Sequence, residues 1–482
     1  MGIPGFFHRF VQTFPNTVIK SGSCESLKNV DHLYVDGNGV LHPFVRAAIE
    51  GGANNIVTQV GKELRAKFSS FKTKNLHFMV DGVAPKGKVN QQRKRRYHKK
   101  PTEGQVFDTN HISPGTTFMT SLCSRIGKLK CWKTFSGAEV PGEGEQKIFR
   151  HIRDNVSPEE TVVVHGLDAD MIMLSMMSSH NNIVLLRENE DLGETVLVDV
   201  PTVREAVVSE FGKVGQSAHD AVSSFVVLIS ILGNDFIPSL ASLHIRRREC
   251  GMDYLMEIYG AQDSPLVKNG KLHPEGMQEL FANLSEEEDN RMNGLLKSFA
   301  GKVPRGLGAD STPNALVSKL LGRGKLWRSC YYRGLFSADP TDSSVIPTAV
   351  DSWIKGISWV LAYYHCPDEL PPEWYYDFPY GPTAQDVYFR IVEIGTELPE
   401  LNNSGIPEIP LSSDMQLMAI LPPWSWDPKQ VPNFNSKAMN AISYMTPHKF
   451  GEHTFLKDND WECIPKIPPV DWELLHHVLI KK

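Results

Sequence analysis

Cysteine is scarce in this sequence, with seven in 482 residues, at positions 24, 123, 131, 250, 330, 366 and 463. None stands in a CxxC pair or at a Cys/His zinc spacing, so a structural zinc site is excluded and a reduced, intracellular protein is expected. Long hydrophobic runs are missing as well. No apolar stretch nears the roughly 20 residues of a membrane helix, and the N-terminal MGIPGFFHRF has no signal-peptide core. Phe6 stands where a myristoylation motif wants Ser or Thr. An excess of positive charge is also absent, since 50 Lys and Arg face 56 Asp and Glu for a net charge of −6. That balance excludes polyanion binding through bulk charge but leaves a local basic site open. With 41% hydrophobic and 22% charged residues, the chain can bury a large core divided into two or three packed units.

From Met1 to about Gly260, short apolar runs alternate with helical stretches, the arrangement of an α/β fold with a mainly parallel sheet flanked by helices. Three β-rich runs end in an aspartate: His32–Asp36, Leu76–Asp81 and Thr161–Asp168. In open α/β sheets ligands bind beyond the carboxyl ends of the strands, so these aspartates are placed to meet in one crevice. Residues 1–300 are expected to form this domain, with 301–338, rich in Gly, Ser, Pro and Arg, as a connector. A second, mostly helical and irregular region is expected over 339–482 and packed against the sheet. It holds an aromatic helix over Ser352–Tyr364, an aromatic non-helical stretch over Trp374–Tyr380 and a Pro-rich tail that wraps the surface.

Seven carboxylates stand in short polar or Gly-rich settings beside apolar runs: Asp36, Asp81, Glu143, Glu145, Asp168, Asp170 and Asp235. So many anions in one crevice repel unless cations neutralise them, and an all-oxygen set suits Mg²⁺ or Mn²⁺. Two such ions can activate a water and stabilise the leaving oxygen of a phosphodiester. A solvated acidic surface is the alternative, but carboxylates embedded among Val, Leu, Ile and Met are costly without partners.

The stretch Lys86–Lys100, KGKVNQQRKRRYHKK, carries eight Lys or Arg and no acid. On a helix, Lys88, Gln92, Arg95 and Arg96 fall at i, i+4, i+7 and i+8, on one face. Such a face converges several donors on a small anion, which fits a phosphate better than a diffuse patch or a nuclear-import signal. It begins soon after Asp81, so the phosphate site is expected beside the metal site.

These residues fall in motifs that resemble the XRN family of 5′ to 3′ exoribonucleases, within the wider PIN-like and flap-endonuclease group. In order they are MGIPGFF, LYVDGNGVLH from Leu33, MVDGVAPKGKVNQQRKRR from Met79, FDTNHISPGTTFM from Phe107 and GAEVPGEGEQKI from Gly137. HGLDADMIML follows from His165, ILGNDFIPSL from Ile231 and GMDYLMEIY from Gly251. GISWVLAYYH, WYYDFPYGP and QLMAILP from Gln416 resemble the family's second conserved region. The resemblance implies that the seven acids hold metal and are catalytic, and that Lys88, Gln92, Arg95 and Arg96 receive the substrate's 5′-monophosphate. It further implies that His42 stacks on the first base, with Trp374 as the candidate aromatic opposite it; core packing is the alternative for Trp374.

The sequence also departs from the family pattern. Ser223 and Ser224 stand where a pair of aspartates is usual, eleven and twelve positions before Asp235. On a continuous helix position 224 would face as Asp235 does, with Asp220 one turn earlier able to compensate. Gly37 replaces a methionine and Lys86-Gly87 an Arg-Ala pair. The chain stops near the end of the second conserved region, so a compact member is expected.

The expected function is a Mg²⁺-dependent, two-metal exoribonuclease that degrades 5′-monophosphorylated single-stranded RNA to 5′-mononucleotides. It would act as a cytoplasmic monomer without membrane contact, downstream of a decapping partner. A flap-type endonuclease is the first rival, opposed by the KVNQQRKRR segment. A non-catalytic RNA-binding scaffold is the second, opposed by the presence of all seven acids.

Overall fold

The computed structural model describes residues 5–20, 30–69, 71, 73–99, 107–189, 194–308, 310–338, 344–365, 374–399, 411–434 and 436–480. Contacts divide the chain into two units: Phe14–Val203 with Glu408–Phe450 and Ile467–Lys482, and Met1–Thr13 with Arg204–Pro407 and Gly451–Lys466.

The first unit is built on a seven-stranded sheet. Its strands are β1 (Val18–Lys20), β2 (Val30–Asp36), β3 (Thr73–Met79), β4 (Thr134–Ser136), β5 (Val162–His165), β6 (Ile183–Asn189) and β7 (Glu194–Asp199), in the spatial order β1-β7-β6-β5-β2-β3-β4. The five strands from β6 to β4 run parallel, and β7 pairs antiparallel with both β6 and β1. This is the mainly parallel, helix-flanked sheet expected from the alternation of apolar runs. The chain winds from β2 through β3 to β4, then returns to the other side of β2 for β5 and β6. The winding therefore reverses between β2 and β5, where α/β sheets open their crevice.

The sheet is covered differently on its two faces. Leu33 and Val35 of β2 join Phe78, Leu64, Phe68, Leu122 and Ile126 in an apolar core beneath the helices Ile56–Phe68 and Thr117–Gly127. The opposite face is polar and aromatic. Tyr34 pairs with His77 across β2 and β3 and stacks on it at 4.3 Å, and His77 accepts or donates to His32 at 3.0 Å. His151, on the helix Gly144–Asn155, closes the layer through a 2.7 Å bond to the Tyr34 hydroxyl. Burial and its histidine neighbours push the His77 imidazole down to about 3, so this ring is neutral.

Part of the second conserved region belongs to this same unit. Helix Ser413–Ile420 packs its Met415, Leu417 and Met418 with Val89 of helix Lys86–His98, together with Phe434, Ile442 and Leu475. The tail is thus partly helical, at Ser413–Ile420, Ser436–Ala441 and Trp472–Ile480, and contributes a core of its own. The Pro-rich composition hid these helices because each is short, six to nine residues.

The second unit is mostly helical. The aromatic helix spans Val345–His365, and the Trp374–Tyr380 stretch is non-helical, as expected. The stretch read as a connector, 301–338, contains helices Ala315–Leu320 and Trp327–Leu335, and it buries Trp327, Tyr331 and Tyr332. Tyr332 donates to Asp386 at 2.6 Å, and Tyr331 donates to the Gly381 carbonyl at 2.7 Å. Its Gly, Ser and Arg content concealed an aromatic anchor. Among the described residues, no helix is long and apolar enough to cross a membrane.

Candidate active site

Four adjacent parallel strands deliver carboxylates at their carboxyl ends. Asp36 ends β2, Asp81 follows β3, Glu143 and Glu145 enter the helix after β4, and Asp168 and Asp170 follow β5. The sequence motifs fold this way because glycines permit close approach. A Cβ on Gly82 would lie 1.8 Å from the Val140 carbonyl oxygen, and backbone bonds from Gly82 to Gly142 and from Gly142 to Val83, both 2.8 Å, fasten the two acid-bearing loops together. A Cβ on Gly144 would lie 3.1 Å from Asp36 Oδ1 and 3.2 Å from Asp81 Oδ1, so the bare glycine leaves the space between those carboxylates open.

Supporting side chains hold the acids in place. Asn38 donates to Asp81 Oδ2 at 2.6 Å and the Gly144 amide donates to Oδ1 at 2.7 Å. Lys147, buried, donates to the carbonyls of Val80 and Gly137 at 2.7 and 2.9 Å, joining the ends of β3 and β4. Arg187 of β6 reaches back to the carbonyls of Leu167 and Asp168, the latter at 2.8 Å, and so clamps the loop before Asp170. The motif pattern named none of these; Asn38 and Lys147 lie inside quoted motifs, whereas Arg187 carries no signal short of the pairing of β5 with β6.

The charge balance is negative. Burial, then the charges of Asp81 and Asp168, hold the Asp36 carboxyl well above its ordinary range. Burial also raises Glu145, opposed by Lys88 and aided by Glu143, Asp170 and Asp168. Lys88 supplies the local cation: its Nζ sits 3.1 Å from Glu143 and 3.9 Å from Glu145, with all three side chains buried. Among the described residues, no three His, Cys, Asp or Glu side chains form a ready-made cation cage in this arrangement. The donors are nonetheless all oxygens carrying excess negative charge, with an ammonium already drawn onto Glu143, and that set fits hard divalent cations.

The structure brings the four basic-face residues onto one helix, Lys86–His98, with different surroundings. Lys88 contacts the acids. Gln92 is buried and accepts a bond from Gln416 at 3.3 Å. Arg96 donates to Ser113 Oγ at 2.7 Å and to the Gln92 carbonyl at 3.3 Å, while Arg95 makes no hydrogen bond among the described residues. Arg93, outside the expected set, is the anchor: it donates to the carbonyls of Met445 and Pro468. His42 lies half-buried on helix Gly37–Glu50. Burial and the charges of Lys99, Arg95, Arg96 and Arg46 push it down to about 3, so its ring is neutral. Arg46 and Lys99 thus join the cationic end of the site.

Asp235, Ser223, Ser224, Asp220 and Trp374 belong to the other unit. Helix Ala218–Ser230 stops five residues short of Asp235. Gly233, at φ 86°, and an Asn234 side chain that accepts from the amides of Phe236 and Ile237 then form the turn carrying Asp235. The continuous-helix register expected between positions 224 and 235 therefore fails, because glycine breaks it. Ser224 Oγ accepts from Gln216 at 2.8 Å and from the Val267 amide at 2.9 Å. Asp220 accepts from the amides of Asn269 and Gly270 at 3.0 and 2.9 Å, so its carboxylate caps a hairpin. Trp374 packs on Trp359 at 5.2 Å and against Gly356, where a Cβ would lie 2.7 Å from its ring. That is the core-packing setting left open by the sequence.

Two family models match: XRN 5′-3′ exonuclease N-terminus over residues 1–104 and 98–189, and Xrn1 helical domain over 317–481. The chain is similar to human 5′-3′ exoribonuclease 1, with 26% identity over 98% of this chain and 33% of the relative. It is 30% identical to the Saccharomyces cerevisiae 5′-3′ exoribonuclease 1 over 51% of this chain and 20% of that protein. With chicken (Gallus gallus) 5′-3′ exoribonuclease 2 the identity is 23% over 99% of this chain and 70% of that protein. The chain thus spans only a third and a fifth of the first two relatives' lengths. With both models matching in order along the chain, and the acids and basic helix of the N-terminal motifs converging on one crevice, this chain belongs to the XRN family of 5′-3′ exonucleases.

Proposed function

We propose that this chain is a divalent-metal-dependent 5′ to 3′ exoribonuclease that holds a 5′-monophosphorylated single strand and releases 5′-mononucleotides. One observation carries the reading: a single helix reaches the acids through Lys88 and the cationic cluster around His42 through Arg95 and Arg96. Seven residues separate Lys88 from Arg95, roughly 10 Å of helix. A terminal phosphate on Arg95, Arg96 and Gln92 would fix the strand's end, and the helix sets how far from it the next phosphodiester meets the acids. The neutral His42 ring would stack on the first base without reading its identity.

Asp36, Asp81, Glu143, Glu145, Asp168 and Asp170, with Asp235 proposed from the motif, would hold Mg²⁺ or Mn²⁺, two ions by our reading. Bound there, such ions supply an activated water and neutralise the leaving 3′-oxygen. Lys88 would keep the acids partly neutral before metal arrives, and Asn38, Lys147 and Arg187 would keep them from splaying apart. The upstream partner we propose is a decapping activity, the chemistry that leaves a 5′-monophosphate. The cytoplasm is the setting we propose, since the basic run has a local use beside the acids.

The test pairs RNAs differing only in a 5′-monophosphate or 5′-triphosphate, with Mg²⁺ and then with chelator. Mononucleotides from the monophosphate RNA alone, and only with metal, are expected. Internal cuts, or equal turnover of both ends, overturn the proposal.

A further inference from the structure

Gln416 is fully buried on helix Ser413–Ile420, where the sequence reads as an otherwise apolar run, QLMAIL. Its two amide atoms have different partners. Oε1 accepts from the Ala84 amide at 2.8 Å, and Nε2 donates to Gln92 Oε1 at 3.3 Å. The oxygen and nitrogen of a glutamine are assigned by the network around them, and this network leaves one solution. The Ala84 N–H can only donate, and the next residue, Pro85, has no N–H to share the role. Gln416 must therefore turn its oxygen to Ala84 and its –NH₂ to Gln92. Gln92 must in turn present its oxygen to Gln416, which leaves the Gln92 –NH₂ pointing away from that bond. That –NH₂ makes no hydrogen bond among the described residues. Gln92 lies three and four positions before Arg95 and Arg96, on the helix face they share.

We propose that Gln416 is a positioning residue, which locks the Gln92 amide with its –NH₂ toward the substrate's terminal phosphate. This rests on the reading of Gln92 as a phosphate ligand. The logic is electrostatic. A glutamine free to flip offers an anion its donor and its acceptor alternately, and the acceptor repels a phosphate. A relay that begins at a backbone amide cannot flip, because the backbone donor has no alternative polarity. The specificity for a phosphorylated end is then set in part by a residue that need not touch the RNA, more than 300 positions away in the chain.

The substitutions Gln416→Glu and Gln416→Met separate this role from a merely structural one. Gln416→Glu keeps an acceptor for Ala84 but presents a second acceptor to Gln92, which turns the Gln92 –NH₂ inward and its oxygen toward the phosphate. Gln416→Met deletes both bonds, strands the Ala84 amide and leaves Gln92 free to rotate. A packing role predicts that Met harms more than Glu; the relay predicts the reverse. The readout is the ratio of kcat/KM on 5′-monophosphate RNA to that on 5′-hydroxyl RNA, with thermal melts to confirm folding. Loss of one charge-assisted donor should lower that ratio on the order of tenfold in Gln416→Glu, through KM, and by less in Gln416→Met. Gln92→Ala serves as the control. If Gln92→Ala leaves the ratio unchanged, the phosphate reading of Gln92 fails. If Gln92→Ala lowers it while Gln416→Glu does so no more than Gln416→Met, the relay is overturned and the phosphate reading stands. Should Gln416→Glu not fold, a folded Gln416→Met with an unaltered ratio overturns the relay by itself.

Discussion

Replacing Lys88 by Met removes the ammonium from a site where Glu143 lies 3.1 Å away and Glu145 3.9 Å away, all buried. Methionine fills a similar volume, so the change is one of charge rather than packing. Breaking a buried ion pair by deleting one partner costs about 3–5 kcal/mol, because the remaining charge stays buried without compensation. For a unit of this size that is a fall in melting temperature on the order of 10 °C in chelator. Divalent metal should reverse the loss, since the acids relieved of Lys88 bind cations more tightly. At 100 times its dissociation constant, a metal ion returns about 2.7 kcal/mol. The assay is a thermal melt of wild type and Lys88→Met across a titration of Mg²⁺ and of Mn²⁺. The gap between the two proteins should be widest in chelator and narrow as metal is added. A gap of constant size at every metal concentration would refute the argument that Lys88 and metal neutralise the same carboxylates, and a variant as stable as wild type in chelator would refute the buried pair itself.

Arg95→Ala should lower efficiency on 5′-monophosphate RNA about 10- to 100-fold with little change in melting temperature; Arg96→Ala should also lower stability, because Arg96 holds Ser113. Equal losses on 5′-hydroxyl RNA would assign Arg95 to the strand at large. The His77 imidazole, held down to about 3 against about 6.5 when unfolded, makes the unfolded chain bind the proton first. Its stability contribution is complete above pH 6.5 and lost as pH falls toward 3, at about 1.4 kcal/mol per pH unit; denaturant titrations at pH 7.5 and 5 should show a gentler decline in His77→Phe than in wild type, and parallel declines would refute the assignment. Ser224→Ala should destabilise by about 1–3 kcal/mol, because the Val267 amide and Gln216 lose their buried acceptor; an unchanged denaturation midpoint would show that water replaces it.

The acids of the first unit and the basic helix were legible in the sequence because each depends on local pattern. An apolar run ending in Asp marks a strand and its carboxyl end, and eight basic residues without an acid mark a cationic helix. What stayed hidden depends on pairing. The His32, Tyr34, His77 and His151 layer arises from the register of β2 against β3, which brings Tyr34 beside His77, and no spacing within one strand announces it. Asp220 caps a hairpin fifty residues on with both of its oxygens, a pairing that no local pattern announces. Gln416 gave a faint signal as a polar residue within an apolar helix, but its partner lies in a distant segment.

The interleaving of the two units bears on how the protein is made. Val89, on the basic helix Lys86–His98, is enclosed by residues from Met415 to Leu475, and Arg93 is anchored on Met445 and Pro468. A ribosome finishes β7 roughly 200 residues before it supplies those partners, a delay on the order of tens of seconds at about 5–20 residues per second. During that interval the nascent sheet carries its acids while the basic helix still lacks its floor. The candidate site is consequently among the last parts of the chain to set, and a ribosome stalled before residue 411 holds a sheet that has its acids but a basic helix without its anchor.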